Sequence, residues 1–381
     1  MELSDIRNRI DAIDAGILDL FCERMELAQE VAKAKAQTGK AVFDPERERE
    51  KLSQVARAVP AEFSGQAVSL FSLLMSMNKA AQQRAIHAAD AGSLSRTAFS
   101  ALQPIDKPFP ALADVACQGV EGAYSQIAAC RLFKIPTITF HPTFEGVFRS
   151  VRDGSSTYGV LPIENSTAGS VNAVYDLIAK YRFSIVRSIR LKIDHNLLAK
   201  PGVSKADISE VYSHEQAIAQ CSEYLERLGV TVHACENTAQ AAAFVAESSR
   251  RDIAALSSRD CAALYGLTAI DEDVQDSDNN YTRFVVISAT PQVFPGATRT
   301  SLMLTVSHEP GSLYRVLERI YALDINLVKL ESRPIPGRDF EFMFYFDLDC
   351  PFGSAALGNL LDGISDVCEM FAYLGSYQEL I

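Results

Sequence analysis

Residues 158–180 read YGVLPIENSTAGSVNAVYDLIAK. The apolar run Tyr158 to Ile163 suits a buried strand, and 171–180 has the spacing of an amphipathic helix. Between them stand Glu164, Asn165, Ser166, Thr167 and Ser170, more hydrogen-bonding capacity than one helix cap requires. A helix N-terminus presents free N–H groups and the positive end of a dipole, so a polar loop feeding it can cradle a carboxylate. The pattern recurs. VYSHEQAIAQC passes from strand to helix at Ser213, where Ser213 and Gln216 fit an S-x-x-Q capping box and Gln220 follows Gln216 on the same face. HACENTAQAAAFVA repeats the design with Glu236, Asn237 and Thr238, and ALSSRDCAALYGL with Ser257 and Ser258. DSDNNYTRFVVIS then sets Asn280, Thr282 and Arg283 at the head of a strand, with Thr282 and Phe284 on one face and Arg283 on the other. Simple β propensity would also account for Thr282, and a surface cation for Arg283. Junctions that converge on one sheet edge are where open α/β sheets bind ligands.

A second set of chemistry-bearing residues precedes these. Arg24 and Lys35 are eleven apart on a long helical pattern, about 20° apart in azimuth, so both can grip one anion. Arg7 lies about 25 Å further along that axis, too far to join them from the same straight helix. An antiparallel second copy of the helix would bring it there. In VFDPERERE, Asp44 and Glu48 share a helix face, as do Arg47 and Lys51; later Asn78 and Gln82 are again four apart. Solvated helix faces with i,i+4 pairs are the plain alternative for each. A third set is HEPGSLYRVLERI followed by KLESRPIPG. Gly311 permits close backbone approach, Ser312 is placed to cap, and the helix opening at Leu313 offers an N-terminus to a carboxylate.

Three kinds of element must position these groups. Residues 1–90 read as all-helical, with Leu3, Ile6, Ile10, Ile13, Ile17, Leu20, Leu27 and Val31 at three- and four-residue steps. Residues 91–112 carry Ser, Gly and Pro without periodicity and read as a linker. Residues 113–290 alternate short β-rich and helical runs, an α/β domain in two lobes. After a short spacer, 300–378 reads β-α-β-β-α-β, a ferredoxin-like α+β order.

The 381 residues carry a net charge of −12, which argues against a partner that is nucleic acid. The charged N-terminus lacks the apolar stretch of a signal peptide, and no apolar run reaches membrane-spanning length. The eight cysteines include no CxxC pair and no zinc spacing, so reduced thiols of a cytoplasmic protein are expected.

IRNRIDAIDAGILDLFCERMELAQEVAKAKAQTGKAVFDPERERE resembles the all-helical chorismate mutase family. The resemblance implies that Arg7, from a partner subunit, and Arg24 bind the carboxylates of chorismate, and that Lys35 and Gln82 act catalytically on its ether oxygen. Asp44 and Glu48 would hold the ring hydroxyl, with Arg47 and Asn78 in support. GVEGAYSQIAA, PIENSTAGSV, VYSHEQAIAQC and NYTRFVVI are similar to prephenate dehydratases, although Ala123 stands where that family has a hydroxyl-bearing residue. Thr282 is then the catalytic candidate, with Glu164, Asn165, Ser213, Gln216, Gln220, Glu236 and Arg283 lining the cleft. The final segment resembles the ACT regulatory domain. Gly311, Ser312, Leu313 and the ESRP residues Glu331, Ser332 and Arg333 are by that likeness its L-phenylalanine site. Together the resemblances imply a feedback-inhibited, homodimeric or larger enzyme that makes prephenate from chorismate and phenylpyruvate from prephenate, without metal or organic cofactor. An arogenate-preferring dehydratase, or a non-catalytic sensor of aromatic acids, is the alternative.

Overall fold

The computed structural model describes residues 2–38, 45–87, 99, 102–335, 341–365 and 367–381. They divide into two compact units, 1–98 with 358–365 and 99–357 with 366–381. In the first, helices Leu3–Thr38, Pro45–Ala58 and Ser64–His87 follow one another. Pro45 begins its helix where a missing N–H is harmless, and Pro60 bars the chain from continuing it. The periodic residues Leu3, Ile6, Ile10, Ile13, Ile17, Leu20, Leu27 and Val31 are 41–66 % exposed. Helical spacing has therefore produced an apolar stripe that one chain leaves uncovered.

The described residues of the second unit form three main sheets. In the first lobe the strand order is 379–380, 184–192, 281–288, 158–165, 112–118, 135–141, with the two-residue strand Gly169–Ser170 folded back onto 158–165. Strand Tyr281–Ser288 divides its side chains by simple alternation. Val285 and Ile287 pack with Leu161, Phe148 and Ile178, while Phe284 and Val286 pack with Val160, Val186 and Phe133 on the other side. The second lobe is a five-stranded sheet ordered 268–271, 196–199, 253–257, 210–214, 231–235. Its helices are capped as turn chemistry dictates: Gly229 and Gly266 end two of them in the left-handed region, and Asn237 Oδ1 accepts the Gln240 N–H at the head of Thr238–Glu247.

The chain crosses from lobe to lobe at 193–195 and returns at 272–280. These crossings bond to each other, Ile193 N–H to the Asn280 carbonyl at 2.8 Å and Val274 N–H to the His195 carbonyl at 2.8 Å. The stretches that read as spacers are partly structured: Gln103–Pro104 pairs in parallel with Gln292–Val293, and Phe109 packs on Phe133, Tyr158 and Phe294.

The third sheet realises the β-α-β-β-α-β order with strands Arg299–Val306, Asn326–Pro334, Phe342–Asp349 and Cys368–Tyr377, and helices Ser312–Ala322 and Ala355–Ile364. Its order is 326–334, 342–349, 299–306, 368–377, antiparallel throughout. Met303, Tyr345 and Tyr377 from this sheet join the core of the first lobe beside Val285 and Ile287. At Gly375, φ is +142° and a Cβ would collide with the Ile185 carbonyl oxygen. Gly375→Ala should therefore destabilise the second unit by about 1–3 kcal/mol. Urea unfolding followed by circular dichroism measures this in a chain that has no tryptophan.

Candidate active sites

The register of two antiparallel strands builds the first site. Thr282 lies opposite Asn165, and Arg283 opposite Glu164, but Phe284 faces Pro162. One extra residue, Ile163, is thus bulged out of 158–165, and its carbonyl accepts the Val171 N–H at 2.9 Å. Strict alternation from Val160 would place Glu164 on the Phe284–Val286 face. The bulge reverses this, so that Asn165 shares a face with Thr282 and Glu164 goes to the opposite one. Both Thr282 and Asn165 are buried, at 8 % and 5 % exposure.

Asn165 Oδ1 accepts the backbone N–H groups of Thr167 and Ala168 at 3.0 and 2.8 Å, and the Thr167 hydroxyl at 2.7 Å. Its Nδ2 therefore points the other way, donating to Thr282 Oγ1 at 2.9 Å and to Asn280 Oδ1 at 2.9 Å. Asn280 Nδ2 donates to Gln220 Oε1 at 3.0 Å, and Gln220 Nε2 donates to Thr167 Oγ1 at 2.8 Å. The consequence for Thr282 is chemical. Its oxygen is supplied with a donor by Asn165, which leaves the hydroxyl proton to be given to something else. Gln220 comes from the second lobe and Thr167 from the first, so the network spans the junction of the lobes.

Several expectations require correction. The ENST loop does not feed a helix directly: Gly169–Ser170 pairs back onto Glu164 and Asn165, and the helix Asn172–Tyr181 starts after Val171 without a side-chain cap. Ser213 and Gln216 form no capping box. His214 is the N-cap, its Nδ1 accepting the Gln216 N–H at 3.2 Å, and fully buried Ser213 donates to the Leu256 carbonyl at 2.8 Å. Arg283 does not reach the Thr282 cluster. It is 4 % exposed on the opposite face, paired with Asp347 and 3.5 Å from Glu164. Glu164 in turn accepts Lys329 at 2.9 Å. Burial is the largest single influence and opposes the Arg283 charge, but Asp347, Tyr377 and Tyr175 together outweigh it and hold the guanidinium well above its ordinary value. Glu236 is exposed beside a depression of about 600 Å³ lined by Tyr212, His214 and Phe244, and not by the Thr282 cluster. Asn280 and Thr167, which sequence reasoning noted without assigning a role, are central; His195 it missed altogether.

In the third sheet, Gly311 has φ +84° and is itself the cap position, while Ser312 is the first helical residue, buried, bonded to Ser307 at 2.9 Å and accepting Arg315 at 3.0 Å. Ser312 and Leu313 line a cavity of about 360 Å³ with His308, Pro310, Phe342 and Phe344. Residues 331–333 lie elsewhere. Glu331 accepts from Ser170, and Arg333 grips Asp176 with two bonds of 3.1 and 2.9 Å, both against the first lobe; Ser332 is exposed.

In the first unit, Arg24 donates to the Leu74 carbonyl at 2.8 Å, and burial lowers its pKa from the ordinary guanidinium value. Asn78 Oδ1 and Gln82 Oε1 are buried without a hydrogen-bond partner among the described residues. Groups of this kind normally meet a donor. Arg7 and Arg47 are exposed and Glu48 is half-buried. Asp44 and the Lys35 side chain lie outside the described residues.

Two family models match the chain, prephenate dehydratase over residues 115–292 and chorismate mutase type II over 6–83. The Escherichia coli (strain K12) bifunctional chorismate mutase/prephenate dehydratase is 32 % identical over 384 residues, spanning 98 % of this chain and 95 % of that one. The Arabidopsis thaliana arogenate dehydratase/prephenate dehydratase 6, chloroplastic, is 36 % identical over 282 residues, 69 % of this chain and 68 % of its own. Among solved structures, Arthrobacter aurescens prephenate dehydratase in complex with L-Phe superimposes with a TM-score of 0.64 at 27 % identity, covering 69 % of this chain and 89 % of that one.

Arg283→Ala would leave Asp347 buried without its cation and should cost about 3–5 kcal/mol of stability. Because the guanidinium points away from Thr282, the KM of any folded variant protein for its substrate should stay near wild type. Urea unfolding and steady-state kinetics on the same preparation check both halves.

Proposed function

The chain belongs to the bifunctional chorismate mutase/prephenate dehydratase family, and from that premise we infer how its residues divide the work. It is an enzyme of phenylalanine biosynthesis, rearranging chorismate to prephenate and converting prephenate to phenylpyruvate. The observation that carries the second assignment is the Asn165 Nδ2 to Thr282 Oγ1 bond, which leaves the threonine proton unspent. In the dehydratase step the bond from the ring to its carboxylate breaks and carbon dioxide leaves. The electron pair moves through the ring diene, the ring C–O bond breaks, and the departing hydroxide takes a proton to become water. Thr282 donates a hydrogen bond to that leaving oxygen. Aromatisation drives the reaction, so a weak, well-placed acid suffices. Asn165 orients Thr282, and Gln220 and Asn280 orient Asn165.

The mutase step needs no proton transfer. Arg24, and Arg7 reaching in from a second copy, clamp the carboxylates, while Lys35 and Gln82 stabilise charge on the breaking ether bond. The exposed apolar stripe of the first helix supports a homodimer, because a patch of that extent is usually covered. The third sheet acts as an ACT-type sensor, with phenylalanine taken up at the 310–313 turn beside Phe342 and Phe344. Strand Asn326–Pro334 also carries Lys329, Glu331 and Arg333 onto the first lobe, a direct route from effector to Glu164. A preference for arogenate is the second reading, favoured by the name of the Arabidopsis relative.

Lys35→Ala should abolish mutase turnover and spare the dehydratase. Thr282→Ala should do the reverse, lowering dehydratase kcat by about 10²–10⁴-fold. Separate assays of chorismate loss and phenylpyruvate formation, with and without phenylalanine and with arogenate in competition, test each part. Loss of both activities in both folded variants would refute the division.

A further inference from the structure

The dehydratase network has an end that no role yet explains. His195 lies in the first crossing between lobes and is 2 % exposed. Its Nε2 is 2.9 Å from Gln220 Oε1, and its Nδ1 is buried without a partner among the described residues. The direction of every bond leading to it follows from the backbone. The N–H groups of Thr167 and Ala168 cannot be reversed, so the Asn165 atom facing them is oxygen and Nδ2 faces Asn280. Asn280 must then present Oδ1 to Asn165 and Nδ2 to Gln220. The Gln220 atom that receives Asn280 is consequently oxygen, and His195, meeting the same oxygen, must donate. Only the Nε2–H tautomer does this.

We propose that His195 is a positioning residue of the dehydratase site, holding the Gln220 amide in the one orientation that lets Gln220 bond Thr167 and so aim Asn165 at Thr282. With an acceptor at His195 Nε2, the Gln220 amide would be driven to flip. Its NH₂ would then face the Asn280 NH₂, and Thr167 would lose its donor. His195 touches neither Thr282 nor Asn165 and acts through Gln220. Its backbone is fixed independently, the N–H by Gln275 Oε1 at 2.9 Å and the carbonyl by Val274 N–H, which makes the imidazole a fixed post against which the amide rests. Burial lowers the imidazole pKa against the opposing effect of Gln220, which favours the neutral ring, and the hydrogen-bond directions place its proton on Nε2. The role rests on the dehydratase reading given above.

His195→Leu, which removes the donor, should lower dehydratase kcat by about ten- to a hundredfold with a smaller change in KM. His195→Gln, whose amide nitrogen can occupy the Nε2 position, should recover most of that rate. His195→Asn, equally polar but too short to reach Gln220, should not. In a Gln220→Ala background the Leu substitution should produce no further loss, because its effect passes through the missing amide. Thermal unfolding by circular dichroism accompanies each variant. If His195→Leu does not fold, the Gln and Asn pair decides alone, and equal rates for those two overturn the proposal. So do a wild-type rate for His195→Leu, or an undiminished further loss in the Gln220→Ala background. An inactive wild-type enzyme would instead overturn the dehydratase reading itself.

Discussion

Two backbone N–H groups, those of Thr167 and Ala168, set the direction of every hydrogen bond in the Thr282 cluster. By occupying Asn165 Oδ1 they compel the other end of that amide to donate, and Thr282 is where it donates. A buried amide with its oxygen already satisfied has no alternative orientation of comparable energy. The threonine is thereby kept with an oxygen that accepts and a proton still to give. The long strands, the bulge at Ile163 and the paired crossings between lobes serve to bring these few atoms together and hold them.

The same two strands serve a second purpose on their reverse face. Glu164 and Arg283 are the immediate neighbours of Asn165 and Thr282, yet they look toward the third sheet, where Lys329 and Asp347 meet them. The Thr282–Asn165 face and the Glu164–Arg283 face are separated by one residue of pleat. A shift in the third sheet that moved Lys329 or Asp347 would act on the backbone that carries Thr282, with no need for a long chain of intermediates. The buried ion pairs are poor stabilisers in themselves, since desolvation offsets much of their attraction. They tie one particular arrangement of the two sheets.

The first unit works by another principle. Its helices supply cations and amides on rigid faces, and its long helix leaves an apolar stripe exposed. A substrate that rearranges without proton transfer asks only for shape and charge, and helices set such groups at fixed spacing without a sheet or a bulge.

Much of this was legible in the residue order. Helical periodicity in 1–90, alternation in 113–290 and the β-α-β-β-α-β order after 300 follow from side-chain spacing, which is local, and the final six elements occur in that order. Thr282 and Asn165 stood out as polar residues at strand ends, and the fold brings them within a hydrogen bond of each other. What only the folded chain decided was which neighbour faces the cleft. Glu164 and Arg283 read as cleft residues; alternation alone sets Arg283 on the face away from Thr282, and a single bulged residue sends Glu164 to join it there, because strand pairing is a contact between segments more than a hundred residues apart in the chain. Ser213 and Glu236 were likewise misplaced: Ser213 bonds a neighbouring strand's carbonyl, and Glu236 opens on a different depression. His195 carried no signal at all, since a lone histidine at a strand end gains meaning only from Gln220, and Gln220 meets it only when the crossing between lobes folds back on itself.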